Sequence, residues 1–433
     1  MTIQLGCIAD DFTGATDLAN NLVRAGMRVL QTNGVPRAPL AADVDAIVVA
    51  LKSRTIAPAE AVEQSLHALQ WLQSAGAQQI YFKYCSTFDS WYGGDGTDKR
   101  GNIGPVTEAL MDALGTDFTV ATPAFPDNGR TVFKGHLFVG DVLLSESSMK
   151  NHPLTPMQDA NLVKVMQAQC RRKVGLIDYR AVAAGVDAVR ARIGELRGQG
   201  VGIAIVDALS NEDLMRLGPA LADLPLLTAG SGVAIALPQN FGIQPSPRSA
   251  TLPKAQGWQA VVSGSCSQAT NAQVVAWKAL GMPHLALDMQ AVLGNEAQHH
   301  ATVQSVLAWA KPLLADGPVL VYSTADAQAV KTTQAGLGSQ ATGERVEQAL
   351  SAIAKGLVAL GVQQLVVAGG ETSGACVQAL GVEQMQIGTQ IDPGVPWCYA
   401  QASAVGTKLH LALKSGNFGT EDFFTKAFKL LER

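Results

Sequence analysis

Nothing in this 433-residue chain approaches the roughly 20 consecutive apolar residues that cross a bilayer as a helix, so a membrane-spanning protein is not expected. Long basic runs are missing too. With 32 Lys and Arg against 36 Asp and Glu, a formal net charge of -4 at pH 7, there is no electrostatic footprint for nucleic acid. The six cysteines (Cys7, Cys85, Cys170, Cys266, Cys376 and Cys398) are scattered and form no CxxC pair. That argues against a zinc site and a disulfide framework, and free thiols are expected. His136 and His152 lie near polar loops, but no two histidines have metal-ligand spacing and no GxSxG elbow occurs, so metalloprotease and serine-hydrolase chemistry lose support. GxxxxGK[ST] and GxGxxG are both missing, which excludes a Walker-type loop and demotes dinucleotide reduction. The opening MTIQLGCIADDF shows no basic segment leading into a long apolar one, and a cytoplasmic location is the expectation.

What the chain does have is 47% hydrophobic residues over a length too great for one ordinary core, which predicts two domains. Apolar strand-like runs alternate with helical periodicity: IQLGCIA, AIVVAL near 46, QIYFKY near 79, DFTVAT near 117, VGLID near 174 and VGIAIVD near 201. This is the pattern of a mainly parallel α/β sheet. The first helix sets Leu18, Ala19, Leu22 and Val23 on one face and is expected to stop at Gly26. From 239 to 257, QNFGIQPSPRSATLPKAQG loses periodicity and reads as a linker. Alternation resumes in WQAVVSG, HLALD, PVLVYS, LVVAGG and LHLALK. The expected fold is therefore α/β, with domains at 1–245 and 246–433 around a cleft.

Ligands of open α/β sheets collect beyond the carboxyl ends of the strands, and several unusual loops occupy that position. In CIADDFTGATD, Asp10 and Asp11 follow a strand, Thr13 stands at the helix start and Asp17 lies on the helix. A cap accounts for one acid, at about 1 kcal/mol, but not for two adjacent ones. Their repulsion calls for a compensating partner: a bound polyol, a Mg²⁺ ion, or cations such as Lys83. KYCSTFDS supplies Lys83, Ser86, Thr87, Asp89 and Ser90; RGNIGP supplies Arg100 and Asn102; TPAFPDNGRT supplies Asn128 and Arg130. Asp127 and Gly129 by themselves read as a turn. A planar guanidinium such as that of Arg130 suits a carboxylate.

In the second half, VVSGSCSQATNAQ and VVAGGETSGACVQAL each run from a strand through small residues into a helix, and KSGNFG follows LHLAL. Small residues at a helix start let backbone N–H groups approach phosphate oxygens. Either loop alone reads as a capped turn; two of them favour an anion site. AGSGVAIAL (229–237), another Gly-Ser-Gly helix entry, either faces the cleft or seals the first sheet, and sealing is the favoured reading.

Taken together, IADDFTGATD, KYCSTFDS, TPAFPDNGRT with GHLFV, VVSGSCS, GGETSG and KSGNFG, in this order, resemble the four-carbon acid sugar kinases over essentially the whole chain. The resemblance implies a sugar-acid-binding domain (1–245), an ATP-binding domain (246–433) and Mg²⁺-assisted transfer of the γ-phosphoryl group to the 4-hydroxyl. It implies 3-oxo-tetronate as the acceptor, with threonate and erythronate as alternatives. Ser265, Ser267, Gly369, Gly370, Glu371, Thr372, Ser373 and Gly416 become the nucleotide contacts. Thr13, Asp17, Lys83, Ser86, Asp89, Arg100, Asn128 and Arg130 fall on the substrate side, with Asp10 or Asp11 as the hydroxyl-orienting base. The metal ligands and self-association into a homo-oligomer stay open. A non-catalytic sensor is the main rival, but it would need only one ligand site.

Overall fold

The computed structural model describes residues 3–37, 40, 43–91, 101–152, 154–324 and 339–432. They form two compact units, Met1–Ala250 and Thr251–Arg433, and the division falls inside the aperiodic 239–257 stretch.

The first unit holds β1 (Leu5–Ala9), β2 (Val29–Asn33), β3 (Ala46–Ala50), β4 (Gln79–Lys83), β5 (Thr119–Thr122), β6 (Arg130–Phe133), β7 (His136–Val139), β8 (Val142–Leu143), β9 (Lys173–Ile177), β10 (Val201–Val206) and β11 (Leu226–Ala229). Its main sheet runs β2-β3-β1-β4-β11-β5-β10-β9, and every pairing is parallel. Strands β1, β3 and β4 are buried along their whole length, as expected of a sheet covered on both faces. Register matters most for the site. Ala9 pairs with both Ala50 and Lys83, Lys83 with Ala229, and Ala229 with Thr122, so five loops leave the sheet at one edge. The helix after β1, α1 (Phe12–Arg24), is almost wholly buried and is capped by Asp11. It ends two residues before Gly26, whose φ of 107° and close approach to the Gln244 carbonyl leave no room for a side chain.

TPAFPDNGRT makes a single 3-10 turn over Pro126–Asn128, closed by Gly129 at φ 65°, and then enters a small antiparallel sheet, β6-β7-β8. That sheet was not anticipated, because its strands are two to four residues long and expose one face.

The second unit holds β12 (Trp258–Ser263), β13 (His284–Ala286), β14 (Val319–Tyr322), β15 (Val362–Ala368), β16 (Gln384–Asp392), β17 (Val395–Ala402) and β18 (Thr407–Lys414). The order is β13-β14-β12-β15-β18-β17-β16, parallel as far as β18 and antiparallel beyond it. Trp277, Trp397, Phe423, Phe424 and Phe428 anchor one core cluster against this sheet, and the buried Trp397 indole N–H is satisfied by the Ala427 carbonyl at 2.9 Å. Ser263, Ala368 and Lys414 pair across β12, β15 and β18. The three small-residue loops therefore also emerge side by side.

Candidate active site

The paired acids have a partner that the sequence reading did not single out. Arg54, in the loop after β3, donates Nε and Nη2 to the two oxygens of Asp10, each at 2.9 Å. The same Nη2 lies 2.8 Å from Asp11 Oδ1. Asp11 also accepts from the Gly14 N–H at 2.8 Å and the Thr13 hydroxyl at 3.1 Å. Burial pushes both carboxyls up. In Asp10 it wins over Arg54 and Lys83, and the carboxyl sits above its ordinary range; in Asp11 the same two cations and the Gly14 and Thr13 hydrogen bonds outweigh burial and hold it below. Arg54 follows AIVVAL in the sequence, but only the pairing of β1 with β3 brings it to the same sheet edge as Asp10.

Asp17, in the second turn of α1, is differently placed. Its Oδ2 accepts from the Ser231 hydroxyl at 2.6 Å, while its buried Oδ1 has no hydrogen-bond partner among the described residues. Ser231 comes from AGSGVAIAL, so that segment does more than seal the sheet: it reaches Asp17, and Asn21 Nδ2 fastens its backbone at 2.8 Å. Two donors are in the same condition as Asp17 Oδ1, namely Arg130 Nε and Asn128 Nδ2, both buried and without a partner among the described residues. Arg130 Nη1 donates to the Asn128 carbonyl, and burial pulls the guanidinium below its ordinary value. Lys83 is buried at the end of β4 and acts electrostatically on Asp10, Asp11 and Asp17.

The other first-unit candidates are more committed. Asp89 accepts from the Thr87 hydroxyl at 2.6 Å and the Thr155 hydroxyl at 2.7 Å. Against the upward push of burial, Arg54 and these hydrogen bonds keep it below the usual carboxylate range. Asn102 Nδ2 donates to the carbonyls of Ser53, Arg54 and Ile56, and so holds the loop that carries Arg54. Ser86 and Ser90 are buried beside them. Arg100 lies outside the described residues.

In the second unit, Ser267 caps the Gln268–Ala279 helix by accepting from the Thr270 N–H at 3.2 Å. Its hydroxyl donates to the Gly416 carbonyl, as does that of Thr270 at 2.9 Å. Ser265 Oγ accepts from the Ser267 N–H at 3.2 Å, and Cys266 between them is exposed. Gly369 begins the Gly370–Ala379 helix with φ 125° and no side-chain cap, which leaves N–H groups at that end for a ligand. Thr372 and Ser373 are buried there, and Ser373 Oγ has no partner among the described residues. Glu371 stands exposed in the first turn. Lys414, fully buried and also missed from the sequence, donates to Thr270 Oγ1 at 2.9 Å and to the carbonyls of Ser415, Gly416 and Phe418 at 3.0–3.2 Å. Between Gln268, Ala269 and Ala272 on one side and Asn417 and Gly419–Asp422 on the other opens a cavity of about 790 Å³. Gly369→Ala should destabilise the second unit by roughly 1–3 kcal/mol, because a Cβ at that φ is strained and would sit 3.0 Å from Thr372 Oγ1 and 3.2 Å from the Ser265 nitrogen. Urea denaturation would check this, and unchanged stability would contradict it.

The two halves match two family models, a sugar-binding N-terminal domain over residues 5–237 and a nucleotide-binding C-terminal domain over residues 260–424. Similar proteins include the 3-oxo-tetronate kinases of Pseudomonas fluorescens, 58% identical with 98% of this chain and 96% of that one covered, and of Burkholderia multivorans, 57% identical with 99% and 97% covered. Haemophilus influenzae protein HI1011 has a similar solved structure, with a TM-score of 0.77, 46% identity and coverage of 98% of this chain and 100% of that one. A sugar-binding module followed by a nucleotide-binding module defines the class. The chain belongs to the four-carbon acid sugar kinase family.

Proposed function

We propose that the chain transfers the γ-phosphoryl group of ATP to the 4-hydroxyl of 3-oxo-tetronate, giving 3-oxo-tetronate 4-phosphate and ADP. Four relatives at 54–58% identity over 98–99% of the chain carry that activity in their names. The observation that supports it best is that three of the first unit's buried polar atoms without a hydrogen-bond partner among the described residues belong to residues of the sugar-side loops and the α1 helix: an acceptor, Asp17 Oδ1, and two donors, Arg130 Nε and Asn128 Nδ2. Buried polar groups are nearly always paired. An acceptor and a donor pair left open in this way suit a molecule with a hydroxyl and a carboxylate.

In this reading Arg130 and Asn128 take the carboxylate, with Lys83, Thr13, Ser86 and Asp89 as further substrate-side groups. Asp10 and Asp11, neutralised by Arg54, shape the hydroxyl-binding wall. Ser265, Ser267, Gly369 to Ser373 and Gly416 receive the nucleotide phosphates. Bound Mg²⁺ would neutralise charge on the γ-phosphoryl group. Among the described residues no three His, Cys, Asp or Glu side chains gather into a metal cluster, which fits an ion held chiefly by triphosphate oxygens and water, with the Glu371 carboxylate and loop hydroxyls at hand. Phosphoryl transfer passes through a loose transition state, so the protein mainly aligns the hydroxyl and offsets charge.

Substrate-dependent ADP release, followed by coupled assay with 3-oxo-tetronate, D- and L-threonate and D-erythronate, tests the assignment. Turnover with the 3-oxo acid should exceed that of the others by about 10²-fold or more, since a site that hydrogen-bonds a keto oxygen leaves a polar group unpaired with the wrong analogue. ADP release with threonate or erythronate instead would reassign the substrate. No substrate-dependent release from any of the four would end the kinase reading.

A further inference from the structure

We propose that Asp17, rather than Asp10 or Asp11, accepts the proton of the 4-hydroxyl. The inference rests on the kinase reading and adds the identity of the proton acceptor. The two adjacent acids are the obvious candidates from sequence, but their oxygens are already taken. Both oxygens of Asp10 are bound by Arg54, and Asp11 is held by Arg54, the Gly14 N–H and the Thr13 hydroxyl. Charge-assisted bonds of this kind commit both side chains to Arg54; Asp11 is held below its ordinary value as well, whereas Asp10, which burial keeps above its own, differs from Asp17 in having each of its oxygens engaged by the guanidinium. Asp17 has one oxygen fixed by Ser231 at 2.6 Å and the other buried and open, so the side chain is oriented while its second lone-pair face is left for a ligand.

The surroundings support this role. Lys83 from the end of β4 and Arg130 from β6 bring positive charge to Asp17, and Asp11 at the α1 start brings negative charge; Tyr81 of β4, itself a buried phenol, also feels the Asp17 charge. Burial dominates and pushes the Asp17 carboxyl up to about 7, against Lys83 and the Ser231 hydrogen bond. A carboxylate raised this far is a better proton acceptor than an ordinary one and is still largely ionised slightly above neutrality. As the hydroxyl oxygen forms its bond to the γ-phosphorus, the bond from phosphorus to the β–γ bridging oxygen breaks and its electron pair leaves with ADP. The hydroxyl proton passes to Asp17 Oδ1 and is later released to water.

The experiment combines one variant with one pH profile. Asp17→Asn should lower kcat about 10²–10⁴-fold while 3-oxo-tetronate and a non-hydrolysable ATP analogue bind within about tenfold of wild type. The wild-type kcat should fall as pH drops through about 7, where Asp17 takes up a proton. Ser231→Ala removes a hydrogen bond that favours the charged carboxylate, so it should move that acidic limb to higher pH; titration of the ATP γ-phosphate would not respond to this change. The proposal is overturned if Asp17→Asn keeps kcat within tenfold of wild type, or if the limb is unmoved in Ser231→Ala. Should Asp17→Asn fail to fold, the limb shift decides. A wild-type protein with no substrate-dependent turnover would remove the kinase reading and this inference together, whereas an active wild type with an equally active Asp17→Asn removes the inference alone.

Discussion

Arg54→Met is expected to cost the first unit about 3 kcal/mol at pH 7, the lower end of the range for removing one partner of a buried ion pair. The lower end applies because the Arg54 side chain keeps 20% of its exposure and that of Asp11 22%, while that of Asp10 keeps only 4%. The loss comes less from the missing attraction than from two carboxylates left side by side with only Lys83 to offset them. The pH dependence follows from the sign of each shift. Asp11 is held below its ordinary value in the folded chain, so its contribution is present above the unfolded pKa and disappears as pH falls through the folded one. Without Arg54, burial pushes both acids up, and the folded variant takes up protons that the unfolded chain releases. Its deficit should therefore be largest at pH 7 and shrink at lower pH. Urea denaturation at pH 7 and pH 5 measures this, and a loss below about 1 kcal/mol at pH 7, the size of a surface pair, would show that the acids are balanced by something else. Arg54→Lys should recover only part of the loss, because an ammonium cannot repeat the two-pronged contact with Asp10.

Lys414→Met should weaken ATP binding about 10- to 100-fold and leave sugar-acid binding unchanged. The Lys414 ammonium ties Thr270 at the start of the Gln268–Ala279 helix to three carbonyls of the KSGNFG loop. Removing it leaves buried acceptors unpaired at about 1–3 kcal/mol and frees the loop that lines the cavity beside Ser267. Burial pushes Lys414 down to about 7. The unfolded chain therefore binds a proton, between its ordinary value near 10.5 and the folded one, that the folded chain lacks. This contribution to stability is complete above the unfolded value and declines as pH falls towards 7. Lys414→Met should flatten that part of the stability profile. Titration with ATP and with 3-oxo-tetronate separates the two sites, and an equal loss at both would mean that the variant damages the fold generally.

Most strands in the middle of the two sheets were legible because a strand buried on both faces must be almost continuously apolar, as AIVVA, QIYFK and VGIAIV are; β11 between β4 and β5, only four residues long, was not. Two edge strands, β9 and β13, were legible too, but β2 and the β16–β17 hairpin were not. VLQTN in β2 carries three polar residues, and β16 and β17 lie in a stretch whose Gln, Gly and Pro interrupt the alternation. The loops carrying Asp10, Ser86, Asn128, Ser267 and Gly369 could be picked out because each follows an apolar run and contains small or polar residues. Arg54, Ser231 and Lys414 escaped because their importance depends on which strands become neighbours. Ser231 meets Asp17 across 214 residues of chain, a separation that no local pattern encodes. The expected helix stop at Gly26 is borne out: the helix ends at Arg24, Ala25 caps it and Gly26 turns the chain away at positive φ, with the Gln244 backbone packed against it.

The order of strands in the first sheet also constrains how the protein is made. Strand β11, built from residues 226–229, lies between β4 and β5. A growing chain that has released β4 and β5 still lacks the strand that joins them, and both keep an unpaired edge until residue 229 emerges. Such edges invite wrong pairing, and parallel sheets closed by late, distant strands fold slowly. The residue that completes Asp17 follows β11 by two positions. No shorter nascent chain can therefore hold that carboxylate in place, and a ribosome stalled before this point would carry an open sheet that chaperones must shield.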